Sequence, residues 1–556
     1  MKKKILCLAL CVVMIASLLV GCGEKNRDEV MNKIGKDASD GAVTLTMQIM
    51  AEDAVSKEQE TLIENAVNDI FDTYNIKLDL KYYTAENYYK VLEENFKTMK
   101  KFYSGDKEGI ATKAPEEPVY TDANNGLPIT YYPPNEEFQV DIFYFSGYDR
   151  YLNYKKNGYL QDFSGRLIDS ASKLKGGISS ILYENVKTVN EKYDMMPVNA
   201  PVGEYTYMLV NKDILNSTQV SINEITSPVS DECAALLDMV STYYPSYTPF
   251  YSSEGVLAFD DIEFFGIDTK GFDNGDFSLI AGAYDSDWTY GSADAYPEMA
   301  KVPAALKDQI KRLKGYEFKG YYTNEDETAP FAVGYIKGGA EVVEKYSKDY
   351  EIVVIEAPKL TTEALYENVM AISAFTTDAT ESARVLAELY SNEELINILV
   401  NGIEGENYIW TTSDILDEND NPYNVIEKQV KDQRYVYNID PCKLGNLAKV
   451  YPTVDDDPTR AQKIFDQNAD AKADLILGFS FYGSEVNLEP LKKAAELSAD
   501  VKNKILSAKD EAELDAVLAY IDELAEGEDL KEIFEGDKTA SSYYTSWLKK
   551  KKIIAS

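Results

Sequence analysis

Residues 43–80 constrain the fold more than any other stretch. Val43, Leu45, Met47 and Ile49 alternate with polar residues at the two-residue period of a half-buried strand. Leu62, Ile63, Ala66, Val67, Ile70, Phe71 and Tyr74 then recur at helical spacing behind Ser56, a capping residue type, and Ile76, Leu78 and Leu80 alternate again. Strand, helix and strand in so short a span predict a β-α-β unit, whose strands run parallel with a right-handed crossover. Sheets of this kind hold ligands beyond the carboxyl ends of their strands, which points to Gln48 and the loop Met50 to Asp53, unless that loop is a plain connection.

The rhythm breaks at residues 103–138, where Pro115, Pro118, Pro128, Pro133 and Pro134 fall among Gly, Asn and Glu and predict an irregular insertion. It resumes with Asp141 to Phe145, a continuous apolar strand, and a helix from Tyr148 to Lys156 that stops at Asn157-Gly158, where a left-handed cap is expected. Further on, Val369, Ala371, Ser373 and Phe375 fit a strand. Thr377 or Asp378 fits a helix cap, and Ala383, Leu386, Ala387, Leu389 and Tyr390 fit the buried face of that helix. From Pro490 to Glu535, charge alternates with Ala and Leu at helical spacing, which predicts a helical surface layer.

The amino terminus carries a different message. Lys2, Lys3 and Lys4 precede an apolar run from Ile5 to Val20, about 16 residues where a membrane span needs roughly 20. Basic cluster, short apolar run and small-residue box in that order predict an export signal, here residues 1–21. Its ending, Leu19-Val20-Gly21-Cys22, is similar to the bacterial lipoprotein box, which implies that Cys22 is diacylated and becomes the first residue. Residues 22–41 have few apolar groups and no sustained period; as a flexible tether they would reach on the order of 25 Å.

Composition then excludes whole classes of chemistry. The formal charge is −39, and removing Lys2, Lys3 and Lys4 makes it −42, a surface that repels phosphate backbones and anionic headgroups, so nucleic acid is not an expected partner. The chain contains no histidine, which removes a Ser-His-Asp triad, a Cys-His pair and His-ligated zinc together. Of five cysteines, only Cys233 and Cys442 could pair in the mature body, and two isolated cysteines fit small buried hydrophobes better than a disulfide framework. Residues 417–428 echo a calcium loop, but Pro422 replaces the turn Gly and Lys428 the bidentate carboxylate, so a turn between two strands is expected. Asp455-Asp456-Asp457 reads as an acidic loop, and no metal or cofactor is assigned. Forty-two Tyr against three Trp supply rings that bury a face and still offer a hydroxyl, a combination suited to sugars.

Four runs in this order resemble one family. They are DIFYFSGYDRYLNYKKNGYLQDFS from Asp141, YDMMPVNAPVGEYTYMLVNKDIL at 193–215, Tyr335-Ile336-Lys337-Gly338-Gly339, and ENVMAISAFTTDATESARVLAELYSNEELINILVNGIEGENYIW at 367–410. Together they are similar to the extracellular solute-binding proteins of ABC importers, family 1. Gly445-Asn446 and Leu477 to Phe481 resemble the extra carboxyl-terminal segment of a Gram-positive lipoprotein subgroup. Glu406-Asn407-Tyr408 stands where that subgroup often carries a histidine.

The resemblance implies an α/β, two-lobed periplasmic-binding-protein-like fold of type II, each lobe a mixed sheet flanked by helices, joined by a multi-strand hinge. It implies lobe 1 over residues 42–209 and 366–415, and lobe 2 over 210–365 and 416–556. The implied function is capture of a sugar or oligosaccharide between the lobes and delivery to permease subunits, by a monomer anchored on the outer membrane face and without enzymatic activity. Candidate ligand contacts are Gln48, Tyr144, Ser146, Trp288, Tyr335 in a Gly-rich turn, Glu404 and Trp410; Glu404 equally fits a carboxylate capping its own turn. A surface glycoside hydrolase using paired carboxylates, or an orphan sensor or scaffold lipoprotein, are the alternatives. Cys22→Ala is expected to abolish fatty-acid labelling and release the protein to the medium; a labelled, membrane-retained variant would refute the anchor.

Overall fold

The computed structural model describes residues 43–104, 120–121, 128–129, 136–167, 170–259, 264–268, 271–274, 277–282, 299–324, 330–417, 419–431, 433–474, 476–536 and 538–551. Signal, Cys22, tether, Trp288 and most of the 103–138 insertion lie outside them. The chain divides into two units, residues 1–200 with 366–465 and residues 201–365 with 466–556.

The first unit begins with strand β1 (Val43–Ala51), helix α1 (Lys57–Phe71) and strand β2 (Ile76–Thr84). Ser56 caps α1 by accepting from the Gln59 amide, and Ile63, Val67 and Phe71, four residues apart, form its buried stripe. β1 and β2 are parallel in register from Val43 opposite Ile76 to Ala51 opposite Thr84. Helix α2 (Ala85–Tyr103) buries Tyr88, Leu92, Phe96, Met99 and Phe102. Of the insertion, the pair Tyr120–Thr121 and Pro128–Ile129 is antiparallel. Strand β3 (Ile142–Phe145) is buried throughout and parallel to β1, and helix α3 (Tyr148–Asn157) ends at Gly158 with φ of +70°, the left-handed cap expected there. Phe96 lies 5.0 Å from Phe143 and 4.8 Å from Tyr159, an aromatic layer joining α2, β3 and the turn after α3. The short strand β4 (Met196–Pro197) ends this stretch.

The second unit opens with strand β5 (Tyr205–Asn211), followed by helix α4 (Asp231–Tyr243) and strand β6 (Thr248–Ser252). Helix α5 (Ala304–Phe318), strand β7 (Tyr322–Thr323), strand β8 (Phe331–Gly338), helix α6 (Ala340–Tyr346) and strand β9 (Tyr350–Glu356) complete its sheet region. The sheet order is β7-β6-β8-β5-β9, with β6 parallel to β7 and β8, and β5 antiparallel to β8 and β9.

Back in the first unit, strand β10 (Val369–Ile372) runs antiparallel to both β3 and β4, giving the order β2-β1-β3-β10-β4. Helix α7 (Ala379–Ser391) is capped by Asp378, whose carboxylate accepts from the Thr380 and Glu381 amides, and helix α8 (Glu393–Asn401) follows. The hairpin of β11 (Tyr408–Leu416) and β12 (Pro422–Lys428) encloses the former calcium-loop echo. There Asp417 accepts from the Asn419 and Asn421 amides at 2.8 Å each, which makes it a turn closed by its own side chain.

Two expectations about domain limits are corrected. Residues 201–209 belong to the second unit because β5 is hydrogen-bonded on both edges within its sheet. Residues 416–465 belong to the first, and Asn446 supplies the reason. Its amide donates to the Gly177 and Tyr390 carbonyls at 2.6 and 3.0 Å, and its oxygen accepts from Asn199 Nδ2 at 2.8 Å. Gly445 beside it has φ of +44°, and a Cβ there would stand 2.3 Å from the Leu389 carbonyl oxygen, so this close approach requires glycine.

The carboxyl-terminal helices α9 (Glu489–Ser507), α10 (Glu511–Glu526), α11 (Glu528–Phe534) and α12 (Ala540–Lys550) are more than a surface layer. Val501, Ile505, Leu514, Leu518 and Ile521 pack against Leu306 and Ile310 of α5, and Leu491, Leu530 and Tyr544 against Phe265 and Ile280. The Ser498 hydroxyl accepts from the Leu279 amide at 2.9 Å. These helices share their buried cores with Phe265, Ile280, Leu306 and Ile310.

Asp141 is wholly buried and accepts from the Thr46 amide and Thr376 Oγ1 at 2.7 Å each, from Gln139 Nε2 at 3.1 Å, and from the Thr377 amide. Burial pushes its carboxyl above the usual range while these donors pull it back. Asp141→Ala leaves the buried Thr46 amide without its carboxylate acceptor and is expected to destabilise the first unit by about 3 kcal/mol, read as a lower urea midpoint of its transition.

Candidate functional site

The parallel strands β1, β2 and β3 point their carboxyl ends the same way, and the residues just beyond those ends meet at one edge of the first sheet. β1 leads to the exposed pair Glu52 and Asp53, β2 to the first turn of α2 with Tyr88 and Tyr89, and β3 to Ser146 and Gly147 ahead of α3. Gly147 has φ of +96°, which lets the chain turn from strand to helix while its amide donates to the Tyr366 carbonyl at 2.8 Å.

Arg150, in the first turn of α3, places its guanidinium carbon 3.6 Å from the Tyr89 ring centroid and donates from Nη1 to the Ser146 carbonyl at 3.0 Å. The Tyr144 hydroxyl donates to Asn368 Oδ1 at 2.6 Å. The segment 434–443 then returns to the same edge. Lys443 Nζ lies 2.6 Å from Glu52 Oε1 and 3.3 Å from Asp440 Oδ2, and Tyr437 meets Tyr82 hydroxyl to hydroxyl at 3.3 Å. Burial raises the Tyr89 hydroxyl, against the pull of the Arg150 and Lys443 charges, and burial raises Tyr144 further, so both phenols keep their protons at physiological pH.

The half-buried Tyr89 ring, a guanidinium, an ammonium and carboxylates thus stand side by side, next to the buried Tyr144 ring. Ring faces suit C–H groups, and the charged groups donate to or accept from hydroxyls, so the edge can hold a polyhydroxylated molecule. Cys442 lies within this segment, but burial pushes its thiol up to about 11, so it offers almost no thiolate near neutral pH. Among the described residues no group of three or more acidic or cysteine side chains is arranged to hold a metal ion.

The residues singled out from sequence are scattered. Tyr144 and Ser146 belong to this edge. Gln48 stands three residues before the end of β1, wholly buried, with neither side-chain polar atom hydrogen-bonded among the described residues. Glu404 is exposed in the turn before β11, and Trp410 is 41% exposed on β11, where its ring lies 4.7 Å from Tyr451 and 6.2 Å from Tyr408. Tyr335 lies inside β8 rather than in a turn; it is a core residue whose hydroxyl donates to the Phe259 carbonyl at 2.8 Å. Tyr89, Arg150, Asn368 and Lys443 were missed. Tyr89 could have been found from its place in the first turn after a parallel strand, whereas Lys443 had no such signal, because its segment reaches the edge only through the fold.

In the second unit the equivalent strand ends carry Ser252 to Glu254 and Gly338 to Glu341. Lys337 Nζ lies 3.7 Å from Glu254 Oε2, and the Gly339 amide donates to Glu341 Oε1 at 2.5 Å. Tyr205, at the start of antiparallel β5, stacks on Tyr207 at 5.4 Å and donates its hydroxyl to Asp470 Oδ2 at 2.8 Å.

No family model matches the chain, and no curated protein matches it. Among solved structures, the N-glycan transport solute binding protein of Streptococcus pneumoniae is similar, with 16% identity over 92% of this chain and 98% of that one, at a TM-score of 0.51. An extracellular solute-binding protein from Bifidobacterium longum subsp. infantis matches at 13% identity, 89% and 97% coverage and a TM-score of 0.44. The streptococcal likeness establishes the fold as the two-lobed, mixed α/β fold of solute-binding proteins. No helix among the described residues is long and apolar enough to cross a membrane.

At pH 8, Cys442 is expected to alkylate with iodoacetamide at least tenfold more slowly than a free thiol, the rise in its thiolate's nucleophilicity offsetting only part of its scarcity. Cys233, fully buried, should react only on unfolding. A fast second-order reaction at Cys442 in the folded protein would contradict the burial described.

Proposed function

We propose that this chain is the extracellular solute-binding protein of an ABC importer, held at the membrane by a lipid on Cys22, which captures a saccharide and passes it to permease subunits. The observation that carries this reading is the edge of the first sheet, where Arg150 covers Tyr89 beside Tyr144, Lys443 and Glu52. Its mixture of ring faces, donors and acceptors matches a neutral sugar better than an apolar or strongly anionic solute. The shared fold with an N-glycan carrier supports the same class of ligand. A solute that binds one arrangement of the protein more tightly would favour that arrangement by differential affinity, and it is what a permease would recognise.

The phenols at the edge are protonated and the cysteine is not a thiolate, so neither offers a nucleophile near neutral pH. The test is a panel of oligosaccharides added to the purified protein. A ligand at a hundred times its Kd should add about 2.7 kcal/mol of stability, and the sugar should be recovered intact. Arg150→Ala should weaken that binding about tenfold or more, because it removes both the cation over Tyr89 and a charge-assisted donor. Release of new reducing ends would instead identify a glycoside hydrolase.

A further inference from the structure

The second unit holds a cavity of about 550 Å³ lined by Lys212, Asp213, Tyr247, Lys345, Tyr346 and Lys348 among others. Its place in the sheet sets it apart from the edge where such folds hold their solutes. Thr248 at the start of β6 is opposite Phe331 at the start of β8, and Tyr350 at the start of β9 is opposite Asn211 at the end of antiparallel β5. Asn211, Pro330 and Tyr350 line the cavity, so it opens at the amino ends of the parallel strands, whereas Ser252 and Gly338 mark their carboxyl ends.

Three ammonium groups and two carboxylates, those of Asp213 and Asp349, gather there on a chain whose formal charge is −39. Lys212 Nζ donates to the Ser347 carbonyl at 2.6 Å and the Lys348 carbonyl at 3.3 Å, which ties the turn after α6 to the end of β5 and keeps a third donor for a ligand. Lys345 Nζ lies 4.8 Å from the Tyr346 ring centroid. Neither Lys348 nor Asp213 makes an ion pair within the unit among the described residues. The cavity therefore offers cations, two carboxylate acceptors and a half-buried Tyr247 ring together, at a volume within the range of small-molecule sites.

We propose that this cavity is a second binding site, for a small polyhydroxylated anion such as a sugar phosphate or sugar acid. The anionic group lies against Lys345 and Lys348, hydroxyls donate to Asp213, and the ring of the ligand rests on Tyr247. Each lining chemistry is used: a bare anion would be repelled by Asp213 and Asp349, and a neutral sugar would forgo the charge-assisted bonds that Lys345 and Lys348 can donate.

The probes are glucose 6-phosphate, glucose and inorganic phosphate, titrated calorimetrically into the full protein and into the Lys345→Ala/Lys348→Ala variant. Both lysines are exposed, so the variant should unfold at the same temperature as the parent. Glucose 6-phosphate should bind saturably and more tightly than either fragment, weaken as salt rises, and weaken about tenfold or more in the variant. No saturable binding of glucose 6-phosphate, equal binding of glucose, or binding untouched by the two substitutions would each overturn the site. Oligosaccharide capture measured on the same variant should be unchanged, which separates this result from the importer reading.

Discussion

The buried carboxylate of Asp141 holds together stretches of chain that the sequence keeps far apart. It takes a hydrogen bond from Thr46 in β1, 95 residues earlier, and from Thr376 after β10, 235 residues later. The second of these bonds depends on β10 having entered the sheet between β3 and β4. A buried charge is tolerable only when donors surround it, and here they do, so the interaction fixes where the returning chain must sit. Everything at the edge of the first sheet follows from that placement, because Asn368 next to β10 is the partner of Tyr144 and Tyr366 receives the Gly147 amide.

Local pattern made the elements legible. The alternation at Val43 to Ile49 and the stripe through Ile63, Val67 and Phe71 gave β1 and α1, and parallel pairing with β2 followed from the crossover rule. Gly158 and Asp378 ended and began helices where turn and cap chemistry placed them. The unit limits were not legible in the same way. Whether residues 416–465 stay with the first unit is decided by Asn446 reaching Gly177, Asn199 and Tyr390, contacts that no periodicity encodes. The same holds for Tyr335, whose Gly-rich flank suggested a turn although apolar neighbours on both sides make it a strand residue.

The edge of the first sheet is also physically modest, which suits its proposed task. Its charges are paired with one another or with backbone, as Lys443 with Glu52 and Arg150 with the Ser146 carbonyl, so an incoming molecule exchanges one set of hydrogen bonds for another. Gains of this kind are small for each contact and depend on geometry, which favours selectivity by shape over very tight retention. A carrier that must release what it holds needs that balance.

The discontinuous threading of the first unit has a consequence for a chain emerging amino end first. Among the described residues β4 pairs only with β10, and β3 has one edge vacant until β10 arrives, so this sheet remains open while residues 198–368 are still being delivered. An exposed strand edge of that length of residence invites pairing with other chains. The second unit's sheet, by contrast, draws all of its strands from residues 205–356 and can close first. The order of assembly is thereby built into the threading: the later-starting half gains its sheet before the earlier one, and the region between β3 and β4 is where premature association during synthesis or refolding would begin.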